Sequence, residues 1–411
     1  MTGHKKLIEV ALPLDAINRG CEEDKNRKTG HIRNLHKWFA PMPLPAWRAM
    51  LLASIIDDPG STLDDAAADT ERQRLFRLIE RLAVFDGYKD EAALAQAKSE
   101  IQAAVGGTPP TVVDPFCGGG STILEAQRLG LPTRGSDLNP IPVLISTVLC
   151  RVVPLFSRRA PVAATPVQRH FDTWAGAAGL KTDVEHYASV VRSRAWERLK
   201  QYYPTEGGGL PFAYRWAWTV ASPNPAAQGQ HTPLVSDWWL SKHKKRQAWV
   251  APVVGKTGIT FRIEHSREPV AGTTGRGGAR CLITDTPIDL EYIREQGRAG
   301  RLSQSMFAIG TRVGGDVTYS APSDVQLRAA GATPAVELPG IEMPPAALGF
   351  RVQQYGLSDF GQLFTRRQAF ALSVFADEIR SIHTEVTDAA LKAGWTDDGI
   401  ALEDGGAGAR A

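Results

Sequence analysis

The stretch Val113-Asp114-Pro115-Phe116-Cys117-Gly118-Gly119-Gly120-Ser121-Thr122 limits what this chain can fold into more than any other segment. The β-branched Thr111-Val112-Val113 before it reads as a short strand, and Ser121 to Leu129 reads as a helix capped by Ser121 or Thr122. Glycines at such a junction let a ligand approach the backbone where a side chain would collide. Gly130 and Pro132 end that helix. Thr133 to Leu138 then reads as a second strand and Pro140 to Val152 as a second helix. Strand, glycine loop, helix, strand, helix is the opening of a parallel α/β sheet.

Three ligand classes use a glycine loop in this position. A phosphate-cradling loop needs a lysine ahead of its Ser/Thr, and here Ser121 follows Gly120 directly. A dinucleotide fold wants another glycine three residues beyond Gly120, where Ile123 stands. S-adenosylmethionine fits better. Asp114 at the first strand end can accept from the cofactor's ammonium group, and Gly118 and Gly120 leave room for its methionine and ribose portions. Phe116 is expected to line the methionine pocket. Asp137, ending the second strand, stands at the separation expected of a carboxylate that holds ribose hydroxyls. Pro115, Ser121, Thr122 and Asn139 flank these residues and complete the expected cofactor-binding set in this region.

The rest of the chain sets the frame. Its 411 residues predict two or three packed units, and a hydrophobic fraction of 43% suffices for a core. The net charge of +3 neither demands nor excludes a polyanionic partner. Cys21, Cys117, Cys150 and Cys281 are widely scattered. With neither a secretory leader pattern nor a bilayer-length apolar run, the expectation is a reduced, cytoplasmic protein with no membrane partner.

Segment by segment, we expect an N-terminal cofactor-enclosing part over 1–58 and a surface helical insertion over 59–108, where apolar positions recur at helical spacing. A βαβα cofactor core follows over 109–155 and a helical linker over 156–205. The alternation of Phe212, Tyr214, Trp216 and Trp218 with smaller or polar residues marks a strand, within a small β-rich insertion over 206–320. A helical segment over 321–411 closes the chain. Glu22 to Arg33 reads as a mobile or partner-facing connection, and the Gly/Ala-rich Glu403 to Ala411 as a frayed end.

The cofactor motif resembles that of amino-methyltransferases acting on adenine N6 or cytosine N4 in DNA. More closely, the chain resembles the large adenine-specific DNA methylases with an inserted zinc ribbon, a group found among anti-phage defence genes. The resemblance is carried by Pro13 to Asn18, His36 to Pro41, Arg48 to Ser54, Gly135 to Pro140, Gly277 to Cys281 and Leu348 to Val352, in that order. It implies an α/β fold, a Rossmann-like class I methyltransferase sheet, here incomplete, with a helical insertion and a small β-rich insertion. It also implies that His36, Lys37 and Trp38 help enclose the methionine end of the cofactor, and that DNA is the partner.

Two departures from the family pattern shape the expectation. The Asp/Asn-Pro-Pro-aromatic tetrapeptide that grips the flipped base is absent, Ser222-Pro223-Asn224-Pro225 being the nearest string, so no catalytic residue is named. We expect that motif on a missing C-terminal catalytic portion or another defence-system protein. A cofactor- or DNA-binding module that needs such a partner chain, and an RNA methyltransferase, are the alternative readings. Of the ribbon cysteines only Cys281 remains, and with His231 and Asp285 it falls short of a tetrahedral zinc site, so no metal is expected. Lys242, Lys244, Lys245 and Arg246 are candidates to track phosphates, with Trp238 and Trp239 to stack on bases.

Overall fold

The computed structural model describes residues 4–29, 31–32, 42–163, 174–206, 209–244, 246–256, 258–265, 268–344 and 351–411. These form two units, one of residues 1–185 with 387–411 and one of residues 186–386. The fold is mixed α/β, with helices and several small sheets.

The first unit is organised by helices α1 (Leu7–Val10), α2 (Leu14–Asn26), α3 (Leu44–Ile55), α4 (Asp65–Ala83) and α5 (Glu91–Val105). Asp64 and Asp90 cap α4 and α5 by accepting from the backbone of Ala67 and Ala93, and Gly106 closes α5 in a left-handed conformation. In α4, Leu75, Leu78, Ile79 and Leu82 follow one helical face and are all buried. They share a core with Leu52 of α3, Ile101 of α5, and Leu129 and Leu131. The segment expected as a surface insertion is therefore part of the main core. Its charged positions lie outward, which is what gave it a surface reading. The expected connection over Glu22–Arg33 is also corrected. It is helical through Asn26, and Asp24 is buried against His31 at 2.8 Å.

Strands β1 (Val112–Asp114) and β2 (Thr133–Gly135) pair in parallel, Val112 opposite Thr133 and Asp114 opposite Gly135. Helix α6 (Ser121–Arg128) connects them, burying Ile123 and Ala126. After β2 comes α7 (Pro140–Thr147), capped by Asn139, then a π-turn over Val148–Val152 and the short α8 (Val153–Leu155). The widened turn lies just before Pro154, which has no N–H to give the preceding turn. The stripe formed by Ile141 and Leu144 of α7 with Val148 of the turn after it is exposed, and Leu138 before it is almost fully so. The chain end, expected to fray, instead folds back, with Ala409 N donating to Thr396 O and Arg410 paired with Asp397.

The second unit takes in most of α9 (Ala178–Leu199), then β3 (Leu210–Ala221), β4 (His231–Pro233), β5 (Trp239–Ser241), β6 (Ala248–Gly255) and β7 (Gly258–Glu264). Next come β8 (Thr274–Gly275), β9 (Gly278–Arg280), β10 (Pro287–Asp289) and α10 (Leu290–Arg298). The remainder is β11 (Ser303–Val313), β12 (Asp316–Ser320), α11 (Asp324–Gly331) and α12 (Arg366–Lys392). Three antiparallel sheets result, ordered β12-β11-β3-β4, β5-β6-β7 and β10-β9-β8. Strand β11 escaped the sequence reading because Met306, Phe307, Ala308 and Ile309 are buried consecutively and give no alternation. Ala195 and Leu199 of α9 pack on Val374 of α12. The pairs Arg194–Glu385 and Arg198–Asp377 join the same two helices.

Candidate cofactor site

The glycine loop is a tight, internally bonded turn. Asp114 Oδ1 accepts from Phe116 N at 3.0 Å, Gly120 N donates to Cys117 O at 2.8 Å, and Cys117 N donates to Ser136 O at 3.0 Å. Gly118 and Gly120 both have positive φ, 49° and 82°. At Gly120 space is short as well. A Cβ there would stand 2.9 Å from Ser146 Cβ on α7, so only glycine serves. Gly120, rather than Ser121 or Thr122, is the N-cap of α6, and no side chain satisfies the helix's first N–H groups there. Thr122 is buried and Ser121 half-buried.

Asp137 spans the two strand ends. Its Oδ2 accepts from Gly118 N and its Oδ1 from Asn139 N, both at 3.0 Å. The carboxylate expected to bind ribose thus also fixes the glycine loop to the segment after β2. Asn139 Oδ1 accepts from Ile141 N at 2.9 Å, so this side chain is a helix cap. Pro115 and Phe116 are exposed, Phe116 by 83%, and the ring stands beside the loop without lining a closed pocket. Beneath the loop, burial pushes the thiols of Cys117 and Cys150 up, Cys150 to about 11. Both are neutral packing groups. His36, Lys37 and Trp38 lie outside the described residues.

Behind the loop a buried ion pair joins α3 to α6. Arg48 Nε lies 3.1 Å from Glu125 Oε2 with both side chains 0% exposed, although the approach is off the line of a good hydrogen bond. Arg128 holds the other oxygen of Glu125, and Arg48 Nη2 donates weakly to the carbonyls of Val84 and Phe85. Burial lowers the pKa of Arg48 and raises that of Glu125, opposing charge on each; attraction to Glu125 offsets part of this for Arg48, and attraction to Arg128 and then Arg48 offsets part of it for Glu125. No sequence motif marks this pair. Its members are far apart in the chain and only the packing of α3 on α6 brings them together.

In the second unit the expected nucleic-acid residues separate. Lys242, Lys244 and Arg246 are exposed on the turn between β5 and β6, and Lys245 lies outside the described residues. Trp238 corrects the expectation of a stacking platform. It is 1% exposed, its ring lies among Phe261 and Phe307, and Nε1 donates to Ala271 O at 3.2 Å. A Trp-Trp pair beside lysines is equally the mark of a strand entering a core, and burial decides for the core.

Nor are Cys281, His231 and Asp285 gathered. His231 Nδ1 meets Thr219 Oγ1 at 2.9 Å, and Asp285 pairs with Arg280 at 3.1 Å. Among the described residues no group of three or more His, Cys, Asp or Glu side chains is set to hold a metal ion. The surroundings of Cys281 are hydroxyls. Burial pushes its thiol up, while hydrogen bonds from Ser222, Thr232 and Thr284 outweigh this and bring it down to about 7.

A family model described as a protein of unknown function (DUF1156) matches residues 11–78, which take in α2, α3 and most of α4. The matched segment ends before the glycine loop but supplies Arg48. No curated protein and no solved structure matches the chain. Among the described residues no helix is long and apolar enough to cross a membrane.

Proposed function

We propose that this chain binds S-adenosylmethionine at the β1–α6 loop and serves a DNA amino-methyltransferase of Rossmann-like class I fold that modifies adenine N6. One observation carries the reading. Two carboxylates at the ends of adjacent parallel strands, Asp114 and Asp137, flank a turn with two left-handed glycines and a helix whose first N–H groups lack a side-chain cap. Each carboxylate has acceptor capacity beyond the backbone bonds it already makes. In this reading Asp114 takes the ammonium group, Asp137 the ribose hydroxyls, and Phe116 closes over the methionine side.

The cofactor supplies an activated methyl on a sulfonium, so the protein's task is to hold the acceptor nitrogen in line with it. Asp137 contributes twice, by binding ribose and by fixing Gly118, and thereby the loop's height above the sheet. The chain does not itself grip the base, since it has no Asp/Asn-Pro-Pro-aromatic segment to accept from the base amino group.

A specific observation favours a partner for that step. β1 and β2 are the two strands of their sheet among the described residues, and parallel sheets occur with neighbouring strands and covered faces. The exposed stripe Ile141, Leu144 and Val148 is the kind of surface another α/β polypeptide covers. A polypeptide bearing the missing motif completes the enzyme in this reading. The exposed Lys242, Lys244 and Arg246 contribute phosphate contacts.

Titration calorimetry with S-adenosylmethionine tests the proposal. Micromolar-range binding by the wild-type chain, abolished in a folded Asp114→Ala/Asp137→Ala variant, is the expected result. A folded wild-type chain that binds no cofactor, or a double variant that binds as well, overturns it.

A further inference from the structure

The second unit forms an open cavity of about 440 Å3 between β3, β11, α11 and the start of α12. Trp216, Gln304, Ser305, Thr365, Arg366 and Arg367 give it its polar and aromatic lining, and among the described residues none that lines it is acidic.

Arg367 is the anomaly. Its side chain is all but buried, with a residue exposure of 4%, yet it has no ion pair among the described residues. The guanidinium lies 3.9 Å from the ring of Tyr214, 4.5 Å from Tyr203 and 5.8 Å from Trp216, and Nη1 donates to Tyr202 O at 3.1 Å. A guanidinium carries five N–H donors, so most of its capacity is unused by this single bond. Aromatic faces recover part of the lost hydration of a cation but supply no counter-charge. Burial accordingly holds Arg367 below the usual arginine range, and the groups that oppose this are tyrosines.

The position of Arg367 in α12 sharpens the point. Arg366 and Arg367 fill the first turn of this 27-residue helix, which has no acidic residue there. A helix N-terminus is the positive end of the macrodipole and favours anions, so two arginines at that point oppose it. Thr365 and Gln368 satisfy the capping N–H groups reciprocally but neutralise nothing. Exposed Arg366, buried Arg367 and the helix end therefore add positive potential at one cavity, and an anion there would relieve all three.

We propose that this cavity binds the phosphate group of a nucleotide, with Arg366 and Arg367 on its oxygens and the Trp216 ring against the base. Arginine forks match phosphate oxygens two at a time, and an indole face accepts any base. A free nucleotide and the phosphorylated end of a DNA strand share this chemistry. The site belongs to the second unit and shares no residue with the glycine loop, so its fate does not depend on that of the cofactor reading.

Calorimetry on the full chain, with inorganic phosphate, adenosine monophosphate and a short 5′-phosphorylated single-stranded oligonucleotide as probes, tests it. The wild type should bind the nucleotide, and Arg366→Gln should weaken that binding by about tenfold or more, the loss of a charge-assisted contact. Trp216→Phe should weaken adenosine monophosphate while sparing inorganic phosphate. Tighter binding of the mononucleotide assigns a free nucleotide, and tighter binding of the oligonucleotide assigns a strand end. Arg367→Lys, checked for folding by thermal melting, keeps the charge and loses the fork. Because Arg366 is exposed, its variant carries the test even where Arg367→Lys fails to fold. A folded wild type that binds none of the three probes overturns the proposal, as does Arg366→Gln binding within about twofold of wild type.

Discussion

At Gly120 and Cys281 single residues record opposite kinds of constraint. Gly120 is fixed by conformation and space together, a left-handed φ and Ser146 at its back. Cys281 is fixed by hydrogen bonding. Its thiolate is favoured in the fold because three hydroxyls point at a buried sulfur, one of them Thr232 Oγ1 at 3.5 Å. The folded pKa of about 7 lies below the ordinary 9.0, so its contribution to stability is fully present above 9 and is lost as pH falls through 7. Urea unfolding should therefore show a rise of about 1–2 kcal/mol between neutral and mildly alkaline pH that Cys281→Ser removes. Far-ultraviolet thiolate absorbance should show one cysteine titrating near neutrality, because burial pushes Cys21, Cys117 and Cys150 the other way. A titration curve unchanged in Cys281→Ser would count against this.

Between elements, the buried Arg48–Glu125 pair links the helices matched by the family model to the helix of the glycine loop. Removing one partner leaves a charge in a site with 0% exposure, so Glu125→Ala should cost about 3–5 kcal/mol in denaturant unfolding. Replacing both, as Arg48→Met with Glu125→Leu, should recover most of that loss or exceed wild-type stability. Cofactor affinity separates structure from positioning. A double variant that is stable yet binds S-adenosylmethionine more weakly would show that the pair also sets the height of α6. Much of this layer was legible in the sequence: the glycine loop, both parallel strands and the strand of Phe212 to Trp218. Strand β11 and the role of α4 and α5 in the core were not. Burial on both faces erases the alternation that marks a strand, and an amphipathic helix looks alike whether its apolar face meets the main core or a satellite one.

On the scale of the whole molecule, charge is nearly balanced, 47 Lys and Arg against 44 Asp and Glu. Any DNA affinity then comes from local cations such as Lys242, Lys244 and Arg246 rather than from a broad field. With about three phosphates contacted, the logarithm of affinity should fall with the logarithm of salt at a slope near −2 to −3, and Lys242→Ala/Lys244→Ala/Arg246→Ala should flatten it. Binding measured from low to moderate salt checks this. A slope much steeper than −3 would mean that a larger basic surface is at work.

The sequence by itself determined the local chemistry. A strand followed by Asp-Pro-Phe-Cys and three glycines must turn tightly, free its backbone and present carboxylates at strand ends, because these are properties of neighbouring residues. It equally determined that no Asp/Asn-Pro-Pro-aromatic tetrapeptide is present. Only the tertiary structure decided which side chains are withdrawn from solvent and which distant ones meet. It put Trp238 in a core instead of on a surface and joined Arg48 to Glu125 across 77 residues of chain. It also set Arg367 among three aromatic rings with no ion pair among the described residues. The reason is that burial and long-range pairing depend on how helices and sheets pack, and side-chain identity at one position carries no record of what will cover it.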